Sequence, residues 1–187
     1  MLGLKRGKVE LLPHQEEWAT KAGDTAAELW QILGDAAVDI QHVGSTSIPA
    51  ICAKPILDLV VGVRDLKDVL PYRGALEQCG VVFRGEDAPG QLLCVMGDFE
   101  KDLRTHHIHV VQWGGEAWEN YVNFRDYLTC FPQKAWQYDR CKKELAAEFS
   151  DNRNGYTAGK QELIRLLLQE AHTWRAGQRD QGKNEPC

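Results

Sequence analysis

The chain has 187 residues, with 43% hydrophobic and 26% charged side chains, a length and balance that fit one soluble domain able to bury its own core. Disordered, collagen-like and staple-dependent small scaffolds are excluded. A formal charge of −5 argues against general attraction to nucleic-acid phosphates, which grows with clustered Lys and Arg. A small substrate or a local basic pocket stays open.

No apolar run approaches the roughly 20 residues that cross a bilayer, and Met1-Leu2-Gly3-Leu4-Lys5-Arg6 leads into no apolar signal core. No membrane partner is expected, and the expected location is the cytoplasm. The six cysteines are scattered, with no Cys-x-x-Cys pair of the zinc or redox type.

In chain order, Trp18, Ala22, Ala26, Leu29 and Leu33 recur at helical steps, and Gly34 closes that helix. Residues 37–43 read as a strand, 44–47 as a small-residue loop, and 56–63 as a strand covered on both faces because its apolar run is nearly continuous. Residues 65–78 read as a helix ended near Gly80, and 81–84, 91–96 and 105–112 as strands between turn residues. Helices are expected at about 116–130, 133–148 and 157–176. The expected fold is α+β: one domain over residues 1–176, its sheet portion within about 1–113 and its helical cap within about 114–176, followed by a polar tail at 177–187.

The stretch His42-Val43-Gly44-Ser45-Thr46-Ser47-Ile48-Pro49, followed by Lys54-Pro55-Ile56-Leu57-Asp58, carries the chemistry. Gly lets a phosphate approach the backbone closely, and Ser and Thr hydroxyls donate to it; a turn that merely closes a strand is the plain alternative. Asp58 lies between Leu57 and Leu59. A carboxylate there is costly unless it is paired, hydrogen-bonded or holding a metal, and a metal bound to nucleotide phosphates is one such cause. His42 is expected to support the loop by a hydrogen bond.

These residues resemble the GrpB family, assigned to the nucleotidyltransferase superfamily with its polymerase-beta-like fold. The resemblance covers almost the whole chain and rests on 42–49, 54–58, His107-Ile108-His109-Val110, Phe124-Arg125-Asp126-Tyr127-Leu128, and Tyr156 with Lys160. It implies a mixed sheet of the nucleotidyltransferase type packed by helices, and a nucleotide- and metal-binding function. Some relatives are fused to dephospho-CoA kinase, which points toward nucleotide or coenzyme A metabolism. By resemblance, Gly44, Ser45, Thr46, Ser47, Lys54, Arg125, Lys142, Tyr156 and Lys160 are the expected nucleotide and phosphate contacts, and Asp58 and Lys54 the expected catalytic pair.

One position departs from the superfamily pattern. Where a second acid would share a face with the first and hold magnesium, this chain has Val60. His107 and His109 are the expected substitutes, because alternate residues of a strand share a face; His106 faces the other way. Imidazole suits zinc, manganese or iron better than magnesium, so the expected ligands are a divalent metal (Mg, Mn or Zn) on Asp58, His107 and His109, and a nucleoside triphosphate. Three readings follow: a nucleotidyltransferase acting on a small acceptor, an inactive nucleotide- or phosphoester-binding module, and a transition-metal hydrolase built on Asp58 with His107 and His109.

Overall fold

The computed structural model describes residues 2–180. Helix α1 (Glu17–Leu33) buries Trp18, Ala22, Leu29 and Leu33 along one stripe, as the spacing predicts, and Gly34 ends it at a φ of 50°. Strands β2 (Ala37–Val43), β3 (Leu57–Val63), β4 (Val82–Ala88), β5 (Gln91–Met96) and β7 (His106–Gln112) form one sheet in the order β2-β3-β7-β5-β4. β3 and β7 run parallel, and the other neighbours are antiparallel. A second small sheet pairs β1 (Leu4–Lys5) with β6 (Leu103–Arg104); two residues per strand leave no pattern for sequence to show.

The predicted helix over 65–78 divides. Residues Leu66–Tyr72 form a 3-10 helix capped by Asp65, and α2 (Arg73–Gln78) follows. Pro71 lies inside this stretch; lacking an N–H, it interrupts a continuous α-helical ladder. Helices α3 (Glu116–Cys130), α4 (Pro132–Glu148) and α5 (Arg153–Asp180) complete the chain. α5 begins four residues before the predicted start and passes through Gly177, so residues 177–180, expected in the tail, are helical; the rest of that tail lies outside the described residues.

Strand periodicity sorts the sheet into two faces. Leu57, Leu59, Val61 and Val63 of β3, with Ile108 and Val110 of β7, join Trp18, Ala22, Leu29 and Leu33 of α1 in the main core. Each of the Leu, Ile and Val side chains contributes about 1.5–3 kcal/mol when fully buried. On the opposite face Val43, Val60 and Val111 pack on Trp118 of α3. α3, α4 and α5 share a third cluster through Leu128, Ala135, Tyr138 and Leu167, which also takes in Ile48 and Ile51 of the loop before β3. That cluster fastens the helical cap to the segment that carries the Gly-Ser turn. No helix among the described residues is long and apolar enough to cross a membrane.

Candidate functional site

Sheet register builds the site. Val43 pairs with Asp58, Asp58 with His107, and Val60 with His109. With alternation, Asp58, Val60, His107 and His109 therefore share the face turned away from α1. Chain connection does the rest: β2 ends at Val43, Gly44 turns at a φ of 70°, Ser45–Ser47 make one 3-10 turn, and the loop returns through Lys54 to β3.

Asp58 is the hub. Its side chain is 29% exposed, against 14% for His107 and 13% for His109. His107 Nδ1 lies 3.2 Å from Asp58 Oδ1, and His107 Nε2 lies 3.5 Å from an Arg153 guanidinium nitrogen. Since the guanidinium only donates, this chain of contacts assigns the tautomer: Nδ1–H donates to the carboxylate and Nε2 accepts. His109 follows the same logic. Gln91 Nε2 donates to His109 Nδ1 at 3.4 Å, leaving Nε2 as the nitrogen that faces Asp58 Oδ1 at 3.7 Å. Tyr121 stacks on the His109 ring at 4.9 Å and donates its hydroxyl to Gln91 Oε1. Burial pushes the Asp58 carboxyl up, but the hydrogen bonds and electrostatic attraction offered by the His107 and His109 rings outweigh it and hold the group well below the usual carboxylate range.

A cavity of about 370 Å³ opens over this face. Gly44, Ser45, Thr46, Lys54, Asp58, His107 and His109 line one side; Tyr138 of α4 and Arg153, Tyr156, Thr157 and Lys160 of α5 line the other. Lys54 and Lys160 both place their ammonium groups over the Tyr156 ring, at 5.2 and 4.5 Å from its centre. The lining thus holds three cations, Lys54, Arg153 and Lys160, against one carboxylate. Burial, then repulsion from Arg153 and Lys160, pushes the Lys54 ammonium down to about 7. Burial lowers Lys160 too, Asp58 opposing and Arg153 adding to the effect.

The other predicted contacts are engaged by the protein itself. Ser47 donates its hydroxyl to the Gly44 carbonyl at 2.6 Å, and Thr46, 1% exposed, is engaged by His42 Nε2 at 2.9 Å, so His42 supports the loop as expected. Ser45 also lines the cavity. Arg125 does not line the cavity: it donates to Gln41 Oε1 and to the His42 carbonyl, bracing the end of β2. Lys142 is 1% exposed and donates to the Cys52 carbonyl, while Asp139 accepts from the Cys52 N–H at 2.7 Å. Together they clamp both backbone groups of Cys52, two residues before Lys54. The ring of Tyr156, expected to stack on a nucleobase, is buried and carries the two lysines instead.

Sequence reasoning missed Arg153, Tyr121 and Tyr138. Arg153 had a readable signal, since Arg153, Tyr156 and Lys160 stand at i, i+3 and i+7 of one helix face once α5 is started at 153. Tyr121 and Tyr138 are helix aromatics whose direction only tertiary packing decides.

The resemblance implies a metal ion at this face. The second acid is replaced by Val60, fully buried among apolar neighbours. Both nitrogens of each imidazole already face protein partners, and among the described residues no group of three or more His, Cys, Asp or Glu side chains is placed to hold a metal ion. The donor set of Asp58, His107 and His109 does not fit the expected metal centre.

The family model described as GrpB protein matches residues 8–170. The glutamate-rich protein GrpB of Alkalihalophilus pseudofirmus is 35% identical over 173 residues, 91% of this chain and 99% of that one. UPF0157 protein YqkA of Bacillus subtilis is 34% identical over 182 residues, 96% of this chain and 52% of its own length, so this chain spans about half of that relative. A crystal structure of the conserved protein GrpB from Enterococcus faecalis superposes with a TM-score of 0.80 at 30% identity, covering 87% of this chain and 96% of that one. The Cid1 poly(U) polymerase, in a crystal structure with MgGTP bound, superposes with a TM-score of 0.51 at 12% identity, covering 72% of this chain and 44% of that one. The likeness to Cid1 is one of fold, the mixed sheet of the nucleotidyltransferase type.

Proposed function

The chain belongs to the GrpB family, and from that premise we propose that it binds a nucleotide or a related small phosphate ester in the cavity between the Gly44–Thr46 turn and the start of α5. The single observation that carries this reading is the convergence of Lys54, Arg153 and Lys160 on a cavity holding one carboxylate. Three cations held together against their mutual repulsion are stabilised by an anion, and phosphate oxygens accept from ammonium and guanidinium groups in the geometry that makes these hydrogen bonds strong. The positive end of the α5 dipole adds to the same field.

Each residue then has a defined part. Lys54, Arg153 and Lys160 meet the phosphates, the Ser45 hydroxyl donates to them, and Tyr156 holds the two ammonium groups in place. Asp58 orients His107. Arg125, Asp139 and Lys142 are positioning residues that fix the two ends of the loop. Gly44 leaves room for Asp58.

Within this reading, binding without two-metal nucleotidyl transfer is favoured over transfer to a small acceptor, because Val60 stands fully buried where a second metal-holding acid would be needed. Thermal-shift measurements with ATP, CTP, GTP and UTP beside their unphosphorylated nucleosides test the proposal. A stabilising shift from the nucleotides and none from the nucleosides is expected. Equal shifts from both, or none from either, would refute a phosphate-directed site.

A further inference from the structure

We infer that the cavity takes its phosphorylated ligand without a bridging metal ion, with Lys54, Arg153 and Lys160 supplying the positive charge and Asp58 serving as a positioning residue. The inference rests on the phosphate-site reading above and adds to it the ionic form of the ligand.

The geometry excludes the metal from each donor in turn. Asp58 Oδ1 faces His107 Nδ1 at 3.2 Å and His109 Nε2 at 3.7 Å. On the other side the main chain comes close: a Cβ built on Gly44 would sit 2.5 Å from Asp58 Oδ2, so only glycine fits against that oxygen. His107 Nε2 looks toward the Arg153 guanidinium at 3.5 Å, and a metal ion beside a guanidinium would meet repulsion at close range. His109 Nδ1 is met by Gln91. The open side of the carboxylate faces a cavity whose other charged side chains, Lys54, Arg153 and Lys160, are all cations, so a metal ion there would meet their repulsion.

The cations meanwhile reach the cavity from two separate elements, Lys54 from the loop before β3 and Arg153 and Lys160 from the first turns of α5. Magnesium bridged to a polyphosphate would cancel part of the ligand's charge and occupy the oxygens these side chains bind. A free polyphosphate presents all of them. Asp58, the one acid of the lining, repels the ligand, so its removal should strengthen binding where a metal ligand's removal would abolish it.

Isothermal titration of the full chain with ATP and with inorganic tripolyphosphate, each in chelator and in excess magnesium, tests this. Wild type, Asp58→Asn and Lys160→Met are compared after circular dichroism has confirmed that each variant is folded. Both ligands are expected to bind in chelator and to bind several-fold more weakly with magnesium. Asp58→Asn should tighten metal-free binding, and Lys160→Met should weaken it by about tenfold or more, the size of a lost charge-assisted hydrogen bond. Binding that requires magnesium, or that disappears in folded Asp58→Asn, would overturn the inference while leaving the phosphate site standing. Failure of both ligands under both conditions would remove the phosphate site and the inference with it. Should Asp58→Asn not fold, the wild-type comparison of chelator with magnesium decides alone.

Discussion

Gly44 and Asp58 share one space: a Cβ added at residue 44 would lie 2.5 Å from Asp58 Oδ2 and 2.9 Å from Asp58 Cβ. The glycine also turns at a φ of 70°, where an L side chain is strained. Gly44→Ala therefore meets both a steric and a conformational cost, and is expected to lower stability by about 2–4 kcal/mol in chemical denaturation. Retained wild-type stability would show that the turn does not press on the carboxylate.

Val60→Asp tests the vacancy left by the second acid. Val60 is fully buried with Val43, Val111 and Trp118, so an aspartate there loses its hydration and stands on the same face as the Asp58 carboxylate, with only the already engaged Gln41 and His109 as cross-strand neighbours. A destabilisation of about 3 kcal/mol or more is expected in urea unfolding, with no recovery on adding magnesium. A variant as stable as wild type, and further stabilised by magnesium, would contradict the assignment.

Lys142 and Lys160 separate holding from binding. Lys142→Met strips the partner from the half-buried Cys52 carbonyl and leaves Asp139 with less compensation, so a loss of about 2–4 kcal/mol is expected in the unfolding free energy. Lys160→Met should leave that free energy within about 1 kcal/mol, because its ammonium faces the cavity, and should instead weaken nucleotide binding. The reverse pattern would exchange their roles.

These contrasts show where sequence stops being readable. β3 was legible because a strand covered on both faces is apolar throughout, and Asp58 stood out within it for the same reason. His107 and His109 were legible as a pair by alternation, and the register places them beside Asp58 and Val60. Arg125, Lys142 and Lys160 looked alike in sequence, since each is a long basic side chain on a helix. Two of them turn to backbone carbonyls at either end of the loop, an outcome decided by how α3 and α4 pack on it. The break of the 65–78 helix was written in Pro71, and the early start of α5, which would have revealed Arg153, was hidden in the polar stretch before Tyr156.

Binding should depend on pH through Lys54. In the free protein burial, with Arg153, Lys160 and Lys142 repelling and Asp58 attracting, pushes its ammonium down to about 7. A phosphate favours the charged form and raises that value. Affinity should then be greatest near neutrality and fall as pH rises above about 7, and binding in that upper range should take up a proton. Titration in buffers of different ionisation heat measures the uptake, which Lys54→Met should remove. Affinity independent of pH from about 7 to 9 would contradict the placement of Lys54 on the ligand.

The most direct test of the central claim is a crystal structure of the chain grown with ATP in the presence of chelator. The account predicts phosphate density between Lys54, Arg153 and Lys160, within hydrogen-bond distance of all three and beside the Ser45 hydroxyl. Phosphates bound elsewhere on the protein, or an ATP-soaked crystal whose cavity holds only solvent, would contradict it.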